Sequence, residues 1–200
     1  MKKEKNTTRL NGKDLLNVGI FTAVYFVLNL FVAAALGLIP TVSMLVPFVS
    51  SFILGIPMIL YFMKIKKFGM VLITYIVYGV LLALAGVGIY TLILGIVFAL
   101  IAELLLRLGK YQKTNLAILA FALTSIGANG NVLSMVLAST EYLEGKAATY
   151  GSEYIQLIQN YFSEWWMLPL LALSAFLGGL LGGLLGKSVF KKHFIRSGVL

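Results

Sequence analysis

Six apolar runs, each close to the length that crosses a bilayer, leave a 200-residue chain little choice of solvent. A helix climbs about 1.5 Å per residue and the hydrocarbon core is about 30 Å thick, so about 20 mostly apolar residues make one span. The runs cover about Asp14 to Leu36, Val42 to Met63, Phe68 to Ala85, Gly88 to Leu106, Asn115 to Ala138 and Trp165 to Gly186. Gly37 and Pro40 stop the first run, and Pro47 and Pro57 lie inside the second. Only Gly86-Val87-Gly88 separates the third from the fourth. Hydrophobic residues make up 60% of the chain and charged ones 12%, too polar-poor a surface for a soluble domain of this size. The expected fold is an all-α integral membrane protein, a six-transmembrane-helix bundle. It has a basic tail at 1–13, a membrane domain at 14–188 and a second basic tail at 189–200.

The charges orient the bundle. Lys2, Lys3, Lys5, Arg9 and Lys13 precede the first run, and Lys64, Lys66 and Lys67 lie between the second and third. Arg107, Lys110 and Lys113 lie between the fourth and fifth, and Lys187, Lys191, Lys192 and Arg196 follow the sixth. Of sixteen Lys and Arg residues, Lys146 alone falls on the other side under a six-span count. Five or seven spans would scatter the clusters. The excess of basic residues belongs in the cytoplasm, so both termini are expected there, in a multi-pass protein of the cell membrane. The net charge of +9 is therefore a mark of topology. No phosphate-reading motif accompanies it, and no nucleic-acid partner is expected. The first run is too long for a signal peptide and reads as a retained span.

The connection from about Ser139 to Glu164 is long for two neighbouring helices. It carries Glu141, Glu144, Glu153 and Glu164 against one lysine. Within it Tyr154, Leu157, Ile158, Tyr161, Phe162 and Trp165 recur at helical spacing. That pattern predicts an amphipathic helix at the outer interface, either a surface helix or a lid over an outward-facing cavity.

The fifth run holds Thr124, Ser125, Asn129, Asn131 and Ser134, with Gly127 and Gly130 among them. Lipid offers an amide no hydrogen-bond partner, so these groups serve either a ligand or a neighbouring helix. Asn129 and Asn131 stand about 200° apart on a regular helix. Both can face one cavity only if the glycines loosen the backbone. Glu103 is the one acidic residue well inside an apolar run, four residues before Arg107. The spacing suits a helix ion pair, while an intramembrane carboxylate also suits proton coupling. Two small-residue rows mark the sixth run: Ser174, Gly178, Gly182 and Gly186, beside Ala175, Gly179 and Gly183. Gly19 and Ala23 form a shorter face on the first. Such faces serve internal packing or docking on another membrane protein.

Catalytic signals are lacking. Gly182 to Ser188 is one residue short of a phosphate-binding loop and ends an apolar helix, the wrong context for one. The chain has no cysteine, and its sole histidine, His193, sits in the basic tail without a second ligand, so neither a metal nor a cofactor is expected. No Ser/His/Asp or paired-carboxylate constellation lies within a span, and the chain is not expected to be an enzyme.

Three stretches carry a resemblance: Lys13-Asp14-Leu15-Leu16-Asn17-Val18-Gly19-Ile20-Phe21-Thr22-Ala23-Val24-Tyr25-Phe26, Gly55-Ile56-Pro57, and Lys64-Ile65-Lys66-Lys67-Phe68-Gly69. With the overall pattern, they resemble the Trep_Strep (MptD-like) family of substrate-binding S components of energy-coupling factor (ECF) transporters. The resemblance implies a six-helix subunit that captures a vitamin or precursor from outside. It also implies association with a transmembrane coupling (T) subunit and two cytoplasmic ATPase subunits. It matches Gly19 and Ala23 to the face that meets the coupling subunit, with Gly standing where the family has Ala at one small position. It matches the outer loops to gating elements, and the outer halves of spans four to six to a substrate site comprising Tyr90, Thr91, Ser125, Asn129, Asn131, Trp165 and Trp166. The two tryptophans also suit the interfacial belt. Two other functions remain open on the sequence: a stand-alone proton-coupled carrier working through Glu103, or a membrane scaffold without a ligand. Against the carrier, the two three-helix halves show no clear internal repeat.

Overall fold

A computed structural model describes residues 10–137 and 140–190. Every regular element among them is helical. Helix α1 (Gly12–Leu36) opens on a capping box. The Asn11 side chain accepts from the Asp14 N–H at 2.9 Å, and the Asp14 carboxylate accepts from the Asn11 N–H at 2.8 Å. Two amides that a helix start leaves open are satisfied this way. α2 (Pro40–Ser43) is a single turn, and α3 (Val46–Ile65) takes Pro47 in its first turn, where a missing N–H costs nothing. α4 (Met70–Leu84) and α5 (Tyr90–Leu108) are divided by a turn in which Gly86 and Gly88 hold φ of 74° and 105°. Side chains rarely tolerate such angles. There follow α6 (Thr114–Ala128), α7 (Asn131–Val136), α8 (Thr140–Tyr150), α9 (Ser152–Phe162) and α10 (Met167–Val189).

Five stretches are long and apolar enough to cross a membrane: α1, α3, α5, α10 and residues Thr114–Ser134, taken through the junction of α6 and α7. The third apolar run gives a shorter helix than expected. α4 has 15 residues, about 22 Å at the usual rise against a hydrocarbon core of about 30 Å. Gly69, at φ 95°, and Gly86 bound it on either side.

The helices close into a ring in the order α1, α3, α10, α6, α5, α4 and back to α1, with α3 also reaching α6 across it. The small residues of α10 make the tightest contacts. Gly178, Gly182 and Gly186 lie on the backbone of Phe48, Phe52 and Gly55 of α3, while Gly179 and Gly183 lie on Ala122 and Ile118 of α6. A Cβ on Gly186 would stand 2.7 Å from the Gly55 carbonyl oxygen, and one on Gly179 would stand 2.8 Å from the Ala122 Cα. Both rows are thus spent on packing within the bundle. α1 is different. Gly19 and Ala23 are exposed, and a Cβ on Gly19 would meet no atom within 4 Å.

Contacts made by polar and charged side chains define the two ends. Lys67 pairs with Asp14 at 2.6 Å, Lys187 donates to Asn115 at 2.9 Å, and the Arg107 guanidinium lies 5.9 Å over the Phe68 ring. These gather the starts of α1, α4 and α6 and the ends of α3, α5 and α10 at one basic end. At the far end the Tyr154 hydroxyl donates to the Gly37 carbonyl at 2.7 Å, and Lys146 donates to the Gly86 carbonyl at 3.1 Å. The segment carrying α8 and α9 is therefore tied to the turns that follow α1 and α4. The tail residues Lys2, Lys3, Lys5, Arg9, Lys191, Lys192, His193 and Arg196 lie outside the described residues.

Candidate functional site

The fifth apolar run should form one helix to Ala138, but α6 stops at Ala128. The cause is Asn129. Its side-chain Nδ2 donates to the Ser125 carbonyl at 2.8 Å, the acceptor its own backbone N–H would use in a continuing helix. That N–H instead reaches the Ile126 carbonyl at 3.2 Å, and the Gly130 N–H reaches Gly127 at 3.1 Å. Both bonds have the tighter three-residue spacing, which ends the α-helical ladder. The glycines let the kinked backbone press on α5. A Cβ on Gly127 would stand 2.8 Å from the Leu94 carbonyl oxygen, and one on Gly130 would stand 2.8 Å from that of Tyr90.

A cavity of about 310 Å³ opens beside this break. Leu94 of α5, Ile126, Asn129 and Gly130, Leu133 of α7, and Leu168 and Ala172 of α10 contribute to its walls. Among the described residues Asn129 supplies the only polar side chain of the lining. Most wall residues are half-buried rather than buried, so the space is an open cleft and not a sealed chamber. Helix α9, with Ile155 and Ile158 buried, packs on α7 and α10, two of the elements that form the cleft. Burial holds its Tyr154 hydroxyl above the usual phenol range.

Four of the seven sequence-predicted site residues meet around the break. Asn129 lines the cleft, and Ser125 lies one turn beneath it, its hydroxyl donating to the Phe121 carbonyl at 2.9 Å. Tyr90 and Thr91 back onto Gly130 from α5. Asn131 opens α7 half-buried and does not line the cleft. Trp165 is 83% exposed and Trp166 45%, and neither lines the cleft. The apolar wall from α7 and α10 had no distinguishing sequence signal, because its leucines read like any lipid-facing ones.

Polar groups divide between the two ends of the bundle. The hydroxyls of Ser50, Thr91 and Ser134 are buried with no hydrogen-bond partner among the described residues. All three sit in the far-end portions of α3, α5 and α7. Ser134 abuts Gly88, where a Cβ would collide with its hydroxyl. Deeper and toward the basic end, pairing is dense. Tyr61 donates to the Met70 carbonyl at 2.7 Å and lies 2.8 Å from the Thr74 hydroxyl, while Tyr75 donates to Thr124 at 2.8 Å.

Residues 12–196 match a family model described as a hypothetical bacterial integral membrane protein, Trep_Strep. The chain belongs to that family. No curated protein and no solved structure matches it.

Glu103 of this Trep_Strep protein has a specific structural role. It is fully buried, and its Oε1 accepts from the Gly69 N–H at 2.9 Å, the Val71 N–H at 2.8 Å and, more weakly, the Leu72 N–H at 3.4 Å. Its Oε2 accepts from the Tyr111 hydroxyl at 3.1 Å. The carboxylate therefore caps the start of α4 from α5, a favourable place for negative charge. It turns away from the spacing-predicted partner Arg107, which lies over Phe68 instead. Among the described residues, no group of three or more His, Cys, Asp or Glu is placed to hold a metal.

Proposed function

We propose that this Trep_Strep protein is the substrate-binding subunit of an ECF-type, ATP-driven importer and captures a small vitamin-like molecule from the extracellular side. The observation that carries this is the interruption at Asn129 and Gly130, within a stretch long enough to span the membrane and beside a 310 Å³ cleft. Broken helical backbone at membrane depth is tolerated where it is buried in protein or lines a cavity, and discontinuous helices recur at transporter binding sites. In this reading α4 is a sixth, shortened span. The basic end faces the cytoplasm with both termini, and α8 and α9 form a gating element on the outside. The chain performs no chemistry. Energy comes from two cytoplasmic ATPase subunits through a coupling subunit that docks on the exposed Gly19 and Ala23 face.

Two alternatives receive less support. A proton-coupled carrier needs Glu103 free to exchange protons, yet four donors hold that carboxylate. A scaffold without a ligand leaves the cleft and the unpartnered hydroxyls without a role. The test is to purify the protein, measure binding across a panel of vitamins and precursors, and seek a coupling subunit in the eluate. Micromolar or tighter binding of one compound, with the coupling subunit present, is expected. Neither a ligand nor a partner would overturn the proposal.

A further inference from the structure

The cleft restricts what cargo it can take, an inference that rests on the uptake reading above. We infer that the ligand held at the Asn129 break is uncharged and mainly apolar, and that it donates one hydrogen bond to Asn129 Oδ1. Among the described residues the lining contains no Lys, Arg, Asp, Glu or His. The acidic group nearest the membrane interior, Glu103, is engaged at the opposite, basic end. Lys146 is bonded to the Gly86 carbonyl, and Glu153 and Glu164 are exposed on the α8–α10 segment outside the lining. An ionised phosphate or carboxylate would enter apolar surroundings with no counter-charge, an arrangement that strongly disfavours binding. A neutral ligand loses little by entering, and its apolar surface is covered by Leu94, Ile126, Leu133, Leu168 and Ala172.

Orientation falls to Asn129. Its Nδ2 is committed to the Ser125 carbonyl, and Oδ1 bonds to nothing among the described residues. A half-buried amide oxygen at the cleft wall is an acceptor waiting for a donor. The bond that breaks the helix therefore also leaves Oδ1 as the amide atom open to a donor. The volume of about 310 Å³ sits at the small end of ligand pockets, which suits one or two rings and excludes a nucleotide-sized cargo.

The test uses compounds matched except for charge: nicotinamide and nicotinate, pantothenol and pantothenate, biotin amide and biotin. Binding is measured calorimetrically on the purified full chain in lipid nanodiscs. In any pair that binds, the neutral member should be at least tenfold tighter. Asn129→Ala should weaken it about tenfold, and Ala172→Trp, which fills the cleft without touching the break, should abolish it. The second variant decides the matter if the first does not fold. Tighter binding of a charged member, or neutral binding that survives Ala172→Trp, overturns this inference and leaves the uptake reading standing. Silence from every compound, with no coupling subunit in the eluate, overturns both.

Discussion

The structural role of Glu103 can be tested by replacing it in two ways. Glu103→Ala removes the acceptor for the Gly69 and Val71 N–H groups, which lie 2.9 and 2.8 Å from Oε1, and strands the Tyr111 hydroxyl. A buried donor left without a partner costs about 1–3 kcal/mol. Gly69 is only half-buried and recovers part of its loss from water, so the two amides together should cost about 3 kcal/mol. Glu103→Gln keeps a carbonyl oxygen in the same place. It loses only the charge-assisted share of each bond, about half its strength, so its cost should be about 1 kcal/mol. For a chain of this length 1 kcal/mol moves Tm by about 2–4 °C. Thermal unfolding followed by circular dichroism in detergent should show a drop of about 6–12 °C for Ala and about 2–4 °C for Gln. Substrate uptake should survive in the Gln variant. An Ala variant as stable as the parent would refute the capping argument. A Gln variant of unchanged Tm that loses gradient-driven flux would instead make Glu103 a proton carrier.

The glycines should divide sharply. Gly182→Ala places a Cβ against the Phe52 carbonyl of α3, where backbone and not a flexible side chain must yield. It should cost about 3 kcal/mol, the upper part of the overpacking range, read as the same thermal shift. Gly19→Leu meets open space and should leave Tm unchanged or slightly raised, yet abolish co-purification of the coupling subunit. A fall in Tm would show that this face already packs within the chain. Trp165→Ala, at a side chain 83% exposed, should change stability by less than about 0.5 kcal/mol and ligand affinity not at all. Loss of binding would place the tryptophan over the cleft.

The features legible in the sequence were those set by solvent. Apolar run length located α1, α3, α5 and α10, since bilayer thickness fixes how many residues a span needs. The clusters around Lys67, Arg107 and Lys187 meet at one end because each follows or precedes a run of the right length. Features decided by local hydrogen bonds against helix continuity were harder to read. Hydropathy runs smoothly through residues 114–134, so the break at Asn129 rests on one side chain competing for the Ser125 carbonyl. Gly127 and Gly130 hinted at it. Gly69 and Gly86, which bound α4, were readable, but the cap on its start comes from Glu103, 34 positions from Gly69, and no local pattern carries that pairing. Small-residue spacing marked candidate contact faces on both α1 and α10, but only the packing shows that α10 uses its own and α1 leaves Gly19 bare.

Hydrogen-bond satisfaction gives the bundle a direction. Near the basic end, the buried polar groups of Thr22, Tyr61, Thr74 and Glu103 have protein partners, and most cross from one helix to another. A paired network inside a low-dielectric core resists opening, since each broken bond strands two groups. At the far end the hydroxyls of Ser50, Thr91 and Ser134 lack such partners among the described residues, and the segment above them is held by the buried Ile155 and Ile158 and by exposed or half-exposed bonds such as those from Tyr154 and Lys146. Those bonds cost little to break, because water replaces what is lost at the surface. The same chain is thus stiff where it would meet ATP-driven partners and loose where it would meet cargo. That gradient favours opening from the far end over opening from the basic end. Hydrogen exchange should find the amides of α9 and the Asn129 junction exchanging well before those of α4, and equal rates would remove the asymmetry on which one-sided capture depends.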